Sequence, residues 1–446
     1  MQFDDHLGGQ HHSTLIGLGL ISAFIFGACD TESSMSDPDE GRPPAADMGM
    51  GDNTMVDGAV YGEDVDFIRL LAAGACPSPS SPDAFTLSVL PYGGPFPSRL
   101  ITPDDRFNRP TLGAGEALSP EAFQFSCFEE DACIDEEANI NIEDVNGART
   151  NTHLDVEEVE FRWTAGTDHV GNDRLVIFMM DNSVSLLGGD VGSPEIDTDR
   201  ATDPNRRRIT FMRELIEDLP TAAGTLRGNT PTWISIMKFD ALPEIDAECA
   251  SPTLDREIAT ECFDRYSRGE DGPTNLRDAL VAVHAQIVSS PAAEGLSPMV
   301  VLFTDGVEAG DQSATSWGDA VQPFIDGQIP LFVLQVQPPV AAGAQRQGRD
   351  TALAELACAS GGQHFFLEDA DMFSRDINLR TILTSRFIGE WRVSVAGDLT
   401  ASRREGEVLM STMLRVRLDD LTRTVDFWND TVGELDRRLW LPQAEE

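Results

Sequence analysis

A series of largely apolar runs between residues 173 and 367 limits the fold more than any other feature of this chain. Leu175-Val-Ile-Phe-Met-Met180 contains no polar residue. A strand with one wet face alternates apolar and polar positions, so a run without alternation belongs to a strand buried on both faces. Similar runs recur at Thr232 to Phe239, Met299 to Thr304 and Leu331 to Val336, with a shorter one at His364 to Leu367. Between them the period changes. Ile209, Met212, Leu215, Ile216 and Leu219 make one helical stripe, and Leu276, Leu280, Val283 and Ile287 make another. Asp203-Pro204 is a start signal for the first helix, a capping carboxylate followed by proline in the first turn. Buried strands alternating with amphipathic helices predict an α/β domain with a doubly wound, mostly parallel sheet, covered on both sides.

In such a sheet, ligands sit beyond the carboxyl ends of the strands, near a switch in strand order. Three polar segments fall there. The first run ends in Asp181-Asn182-Ser183-Val184-Ser185. Gly272-Pro273-Thr274-Asn275 precedes the second helical stripe. Asp305-Gly306 follows Thr304. Together Asp181, Ser183, Ser185, Thr274 and Asp305 offer two carboxylates and three hydroxyls. These are hard oxygen donors that suit Mg²⁺, with Mn²⁺ or Ca²⁺ as alternatives. Each segment alone has a plainer reading: Asp and Ser end strands in turns, Thr274 suits a helix N-cap, and Asp305-Gly306 is a turn. Their order, each at the right end of the right element, argues for a shared site.

Asp-x-Ser-x-Ser after a buried strand, Thr274 before Asn-Leu-Arg-Asp-Ala-Leu, and Thr304-Asp305-Gly306 after a later strand resemble the von Willebrand factor A domain and its metal-ion-dependent adhesion site. The resemblance covers about 172–387. It implies that Ser183, Ser185 and Thr274 supply hydroxyl ligands, that Asp181 and Asp305 act mainly through water, and that a partner's Asp or Glu completes the ion's shell. Val184 stands where that family often has Gly, and Pro273 replaces a common Gly. Leu186 to Asn205 is a long acidic insertion containing Asp190, Glu195, Asp197, Asp199 and Asp203. Those carboxylates suit a solvated loop, with Ca²⁺ binding as the alternative.

The flanks read differently. Phe85 to Leu90, Ala122 to Cys127 and Val156 to Trp163 are short, strand-like and separated by Pro and Gly clusters. Residues 61–171 therefore suggest a β-rich, sandwich-like module. After about Arg386 the β texture returns at Trp391 to Val395, Met413 to Leu418 and Thr424 to Trp428. A segment as short as 388–446 buries little core alone, so it is expected to complete the module of 61–171, with the α/β domain inserted between the two halves.

The N-terminus points to export. Leu15 to Ala28 is apolar, too short to span a bilayer comfortably, and suits a signal peptide over 1–28. It ends in Phe26-Gly27-Ala28-Cys29, which resembles a bacterial lipoprotein signal and implies lipidation of Cys29, with a membrane contact through that anchor. Residues 29–60 are acidic and rich in Ser, Gly and Pro, the composition of a disordered tether. Setting Cys29 aside leaves Cys76, Cys127, Cys133, Cys249, Cys262 and Cys358. An even number in an exported chain suggests disulfides. Spacing favours the short loops Cys127–Cys133 and Cys249–Cys262, leaving Cys76–Cys358 as a clamp between domains, although sequence cannot choose among the pairings.

Composition narrows the function classes. The 446 residues carry 76 Asp plus Glu against 32 Lys plus Arg, a formal net charge of −44. That field repels nucleic acid and anionic lipid, and attracts cations and basic surfaces. Of the histidines, His6, His11 and His12 lie in the expected signal, His284 lies in a helical stripe, and His153 and His169 lack metal-ligand spacing. No GxSxG, HExxH or GxxxxGK[ST] motif occurs. The expectation is a cell-envelope binding or adhesion protein rather than an enzyme. A metal-independent scaffold with a degenerate site is the alternative, and a metal-assisted hydrolase is a third reading.

Overall fold

The computed structural model describes residues 69–78, 81–92, 118–127, 133, 138–143, 149–162, 174–187, 201–219, 232–240, 243–244, 246, 248–266, 274–306, 314–338, 350–370, 383, 390–397, 408–418, 421–429, 434–436 and 438–441. The expected signal peptide, Cys29 and the tether lie outside the described residues. So do Asp190, Glu195, Asp197, Asp199, Pro273 and His169. No described helix is long and apolar enough to cross a membrane.

The amino-terminal flank contributes β1 (Arg69–Ser78), β2 (Ser81–Tyr92), β3 (Phe123–Ser126), β4 (Ile140–Glu143), β5 (Arg149–Thr152) and β6 (Leu154–Arg162). The α/β domain follows with β7 (Arg174–Asp181), α1 (Arg207–Asp218), β8 (Thr232–Phe239), β9 (Pro243–Glu244), α2 (Arg256–Tyr266), α3 (Leu276–Ser289), β10 (Ser297–Thr304), α4 (Trp317–Asp326), β11 (Leu331–Val336), α5 (Thr351–Ala359) and β12 (Gln363–Leu367). The carboxyl-terminal flank adds β13 (Glu390–Gly397), β14 (Val408–Ser411), β15 (Met413–Leu418), β16 (Leu421–Asn429), β17 (Glu434–Asp436) and β18 (Arg438–Leu441).

The α/β sheet runs β12-β11-β10-β7-β8-β9. All pairings are parallel except that of β9, a short antiparallel edge. Counting strands within the domain, this is the doubly wound order, and its switch point lies between β7 and β10. Both faces are covered, as the apolar runs require. Ile209, Met212, Leu215 and Ile216 of α1 pack with Ala259 and Phe263 of α2 on one face. On the other, Leu276, Leu280 and Val283 of α3 pack with Phe324 of α4 and Leu356 of α5. The first helix begins later than the Asp203-Pro204 signal suggests. Its N-cap is Arg206, in the left-handed region at φ 53, so Pro204 precedes the helix instead of occupying its first turn. Asp203 still caps: its Oδ1 accepts from Arg207 N at 2.6 Å and its Oδ2 from Arg208 N at 3.2 Å.

Strands from the two flanks share sheets. The eight-stranded sheet follows β3-β15-β16-β1-β2-β13-β6, with β17 paired to β16, and a four-stranded sheet follows β18-β14-β4-β5. Strand β1 is thus flanked by β16 and β2, and β2 by β1 and β13. Phe85, Leu87 and Val89 of β2, Trp391 and Val393 of β13, Ile140 and Ile142 of β4 and Met410 of β14 belong to one core. Successive residues of β1 serve opposite faces: Leu70 and Ala72 join this core, whereas Leu71 joins the core around α1 and α2.

Among the described residues three disulfides close: Cys76–Cys358, Cys127–Cys133 and Cys249–Cys262. They mark a chain that matures in an oxidising compartment. Cys76–Cys358 ties β1 to α5, and Arg392 Nη2 donates to Gly361 O at 2.7 Å nearby. The approach of β1 to β12 is close enough that a Cβ at Gly74 would lie 1.8 Å from Gln363 Nε2.

Because β13, β15 and β16 supply neighbours that β1, β2, β3 and β6 need, a fragment of residues 61–171 made alone is expected not to fold. Limited proteolysis and near-ultraviolet circular dichroism check this; a cooperative unfolding transition in the isolated fragment would contradict it.

Candidate metal centre

The switch point is where the carboxylates lie. Asp181 ends β7 and Asp305 follows β10, on adjacent parallel strands, and both are fully buried. The local sequence explains the turn: Asp181 Oδ1 accepts from Ser183 N at 2.9 Å, a short Asx link that stops the strand. Val184–Leu187 then forms a single 3₁₀ turn. That turn sets Ser183 Oγ and Ser185 Oγ 3.0 Å apart.

Two threonines knit these groups together. Thr304 Oγ1 donates to Asp181 Oδ2 at 2.7 Å and accepts from Gly306 N at 3.0 Å. Thr202 Oγ1 donates to Asp305 Oδ2 at 3.4 Å, and Thr202 N donates to Ser185 O at 3.3 Å. Asp181, Ser183, Ser185 and Asp305 therefore belong to one hydrogen-bonded cluster. Thr274 is buried one residue before the N-cap of α3, which is Asn275. Its hydroxyl is thus not in the capping position. Asn275 N donates to Asp240 O at 3.1 Å, which pins the start of α3 to the carboxyl end of β8, next to β7.

Burial pushes the Asp181 carboxyl above the usual carboxylate range. Hydrogen bonds from Ser183 and Thr304 and the positive field of Arg208 oppose that rise. Arg208 itself is committed to Asp203, with Nη1 2.8 Å from Oδ2 and both side chains buried. Two buried carboxylates at one rim are unfavourable unless charge and hydrogen bonding compensate. A hard divalent cation would supply that compensation, and the donors present are of the right kind. Among the described residues no group of three or more His, Cys, Asp or Glu comes together, so the rim is hydroxyl-rich and unlike a thiolate or imidazole centre. The residues fit the cation the family resemblance implies.

Sequence reading missed Thr202, and it named Thr304 only as part of a motif. Thr202 carries no local signal, since its partner Asp305 lies 103 residues further along the chain. Thr304 could have been found from its place at the last buried position before Asp305. Elsewhere, His284 stacks edge-on against Phe324 with centroids 5.7 Å apart, and burial lowers its pKa. His153 Nε2 lies 3.2 Å from Asp155 Oδ1 at the start of β6, and both side chains are exposed.

No family model matches the sequence, and no curated protein matches it. Among solved structures the chain is similar to the conserved hypothetical protein BatB from Bacteroides thetaiotaomicron, at 15% identity over 48% of this chain and 96% of that one, TM-score 0.32. It is similar to a von Willebrand factor type A protein from Catenulispora acidiphila at 10% identity, over 71% and 72%, TM-score 0.34. It is also similar to proximal thread matrix protein 1 from the mussel byssus, with a zinc-occupied MIDAS motif, at 12% identity, over 53% and 50%, TM-score 0.36. The architecture assigned to this domain rests on its own strand order and helix placement.

The Arg208–Asp203 pair holds the start of α1 against the rim. Arg208→Met leaves a buried carboxylate with its ionic partner removed, which costs about 3–5 kcal/mol. Urea unfolding in EDTA is expected to show that loss; a change below about 1 kcal/mol would mean the pair is screened by solvent.

Proposed function

We propose that the chain is an exported, envelope-anchored protein that binds a protein partner through a divalent cation, without catalysing a reaction. The observation that carries this reading is the single cluster formed by Asp181, Ser183, Ser185 and Asp305 at the switch point of a doubly wound sheet. In the proposal Ser183, Ser185 and Thr274 give neutral oxygens, while Asp181 and Asp305 balance charge and orient the hydroxyls. When bound, the cation offers an electrophilic position to an Asp or Glu carboxylate on the partner. Few anionic ligands keep that position attractive, because each added carboxylate would lower the net positive charge felt by the incoming one.

The remaining segments suit a surface role. Residues 1–28 act as a signal, Cys29 as a lipid anchor and 29–60 as a leash. The two flanks form a sandwich-like module that carries the α/β domain away from the membrane.

Partner binding is tested with and without chelator, using cell-surface or matrix proteins immobilised on a sensor. EDTA is expected to abolish binding and Mg²⁺ or Mn²⁺ to restore it. Asp181→Ala is expected to weaken cation affinity about tenfold to hundredfold. Binding undiminished in EDTA would sink the proposal and assign recognition to metal-free surfaces of the β module.

A further inference from the structure

The sheet carries a buried polar row that starts at Thr304 of the cluster above and runs beyond it. Thr304 of β10 is in register with Gln335 of β11. On β12, His364 lies two residues before Phe366, the register partner of Gln335, and so on the same face. Gln335 is fully buried in an otherwise apolar strand. Its Oε1 accepts from Asp350 N at 3.0 Å, at the start of α5, and lies 2.9 Å from His364 Nε2. A carbonyl oxygen only accepts, so His364 carries its proton on Nε2. Asp350 N can only donate, so it fixes which end of the amide is oxygen.

The other end is thereby turned toward the rim. A Cβ at Gly306 would lie 2.1 Å from Gln335 Nε2, and Gly306 adopts φ +83. Glycine is required there twice over, for the backbone angle and for the space the amide fills. Gly306 N in turn donates to Thr304 Oγ1, which donates to Asp181. Gln335 Nε2 is buried and has no hydrogen-bond partner among the described residues. A buried amide with one end unsatisfied is poor for stability alone.

We propose that Gln335 is a positioning residue for the cation site. Held from β12 and α5, its amide backs the Asp305–Gly306 turn and sets where the Asp305 carboxylate stands relative to Asp181. This rests on the cation reading above. The simpler role, anchoring the start of α5 through Asp350 N, needs only Oε1 and predicts no effect on the rim.

The test is Mn²⁺ calorimetry on the full chain, with urea unfolding in EDTA measured in parallel. Gln335→Met keeps the volume and removes the amide. It is expected to weaken Mn²⁺ affinity about tenfold to hundredfold. Val393→Ala, in the core of the β module, lowers stability as a control and leaves that affinity unchanged. Gly306→Ala is expected to cost less affinity in a Gln335→Ala background than in the parent, because its methyl then enters vacated space. Should Gln335→Met fail to fold, Gln335→Asn, which withdraws the amide from Gly306, is read the same way. Folded variants with parental affinity, or Gly306 and Gln335 effects that simply multiply, would overturn the inference while leaving the cation reading intact. A parent chain that binds no Mn²⁺, Mg²⁺ or Ca²⁺ would overturn both.

Discussion

Two carboxylates buried side by side at the end of an apolar parallel sheet set the terms for everything around them. Asp181 and Asp305 sit where the strand order reverses, the one place in a doubly wound sheet where loops diverge and leave room above the strands. Keeping them there takes hydroxyls on both sides. Thr304 serves Asp181, Thr202 serves Asp305, and Ser183 with Ser185 closes the gap on the loop. Arg208, whose positive field reaches Asp181, offsets the pair's charge only in part, because Asp203 already holds it at 2.8 Å. The rim is therefore polar and acidic while the sheet beneath it is dry.

A rim of this kind needs a rigid base, and the two flanks help to supply one. Strand β1 is buried on both faces, with Leu70 in the module's own core and Leu71 in the α/β core. That double burial welds the eight-stranded sheet to the α/β domain more firmly than a surface contact would. Cys76–Cys358 and the Arg392–Gly361 hydrogen bond add covalent and polar ties at the same edge. Glu390, almost fully buried, takes Ser88 Oγ and Arg392 Nε, so the arginine that reaches across is itself held in place.

Much of the α/β domain was legible because both of its periods are strong. The runs at 175–180, 232–239, 299–304, 331–336 and 364–367 became β7, β8, β10, β11 and β12, shifted by at most a few residues at their ends. The stripes starting at Ile209 and Leu276 became α1 and α3. What was not legible has a physical reason in each case. Strand β1 reads Arg-Leu-Leu-Ala-Ala-Gly-Ala-Cys-Pro-Ser, with no alternation and no β-branched residue; its state is decided by the strands on either side, not by local preference. Asp203 capped a helix as its carboxylate suggested, but Arg206 in the left-handed region delayed the start, which no propensity scale encodes. Gln335 lies inside a run read simply as apolar; nothing local marks it, because its partners lie on β12 and at the start of α5.

The chain's charge bears on what kind of partner suits the proposed site. A body with a formal charge of −44 repels an acidic protein at distance. Yet the proposed capture step needs a carboxylate at contact. These demands are compatible only if they act at different ranges. Beyond about 8–10 Å, salt screens much of the repulsion, and the surrounding field favours a partner whose surface is basic overall. At contact, a bound cation would be the dominant local charge and would favour one exposed Asp or Glu within that basic surface. A uniformly acidic partner would be turned away before reaching the rim, and a basic partner lacking a protruding carboxylate would arrive and find no ligand position to fill. On this reading, long-range attraction and local chemistry select for opposite signs, which makes the pair of requirements more selective than either alone.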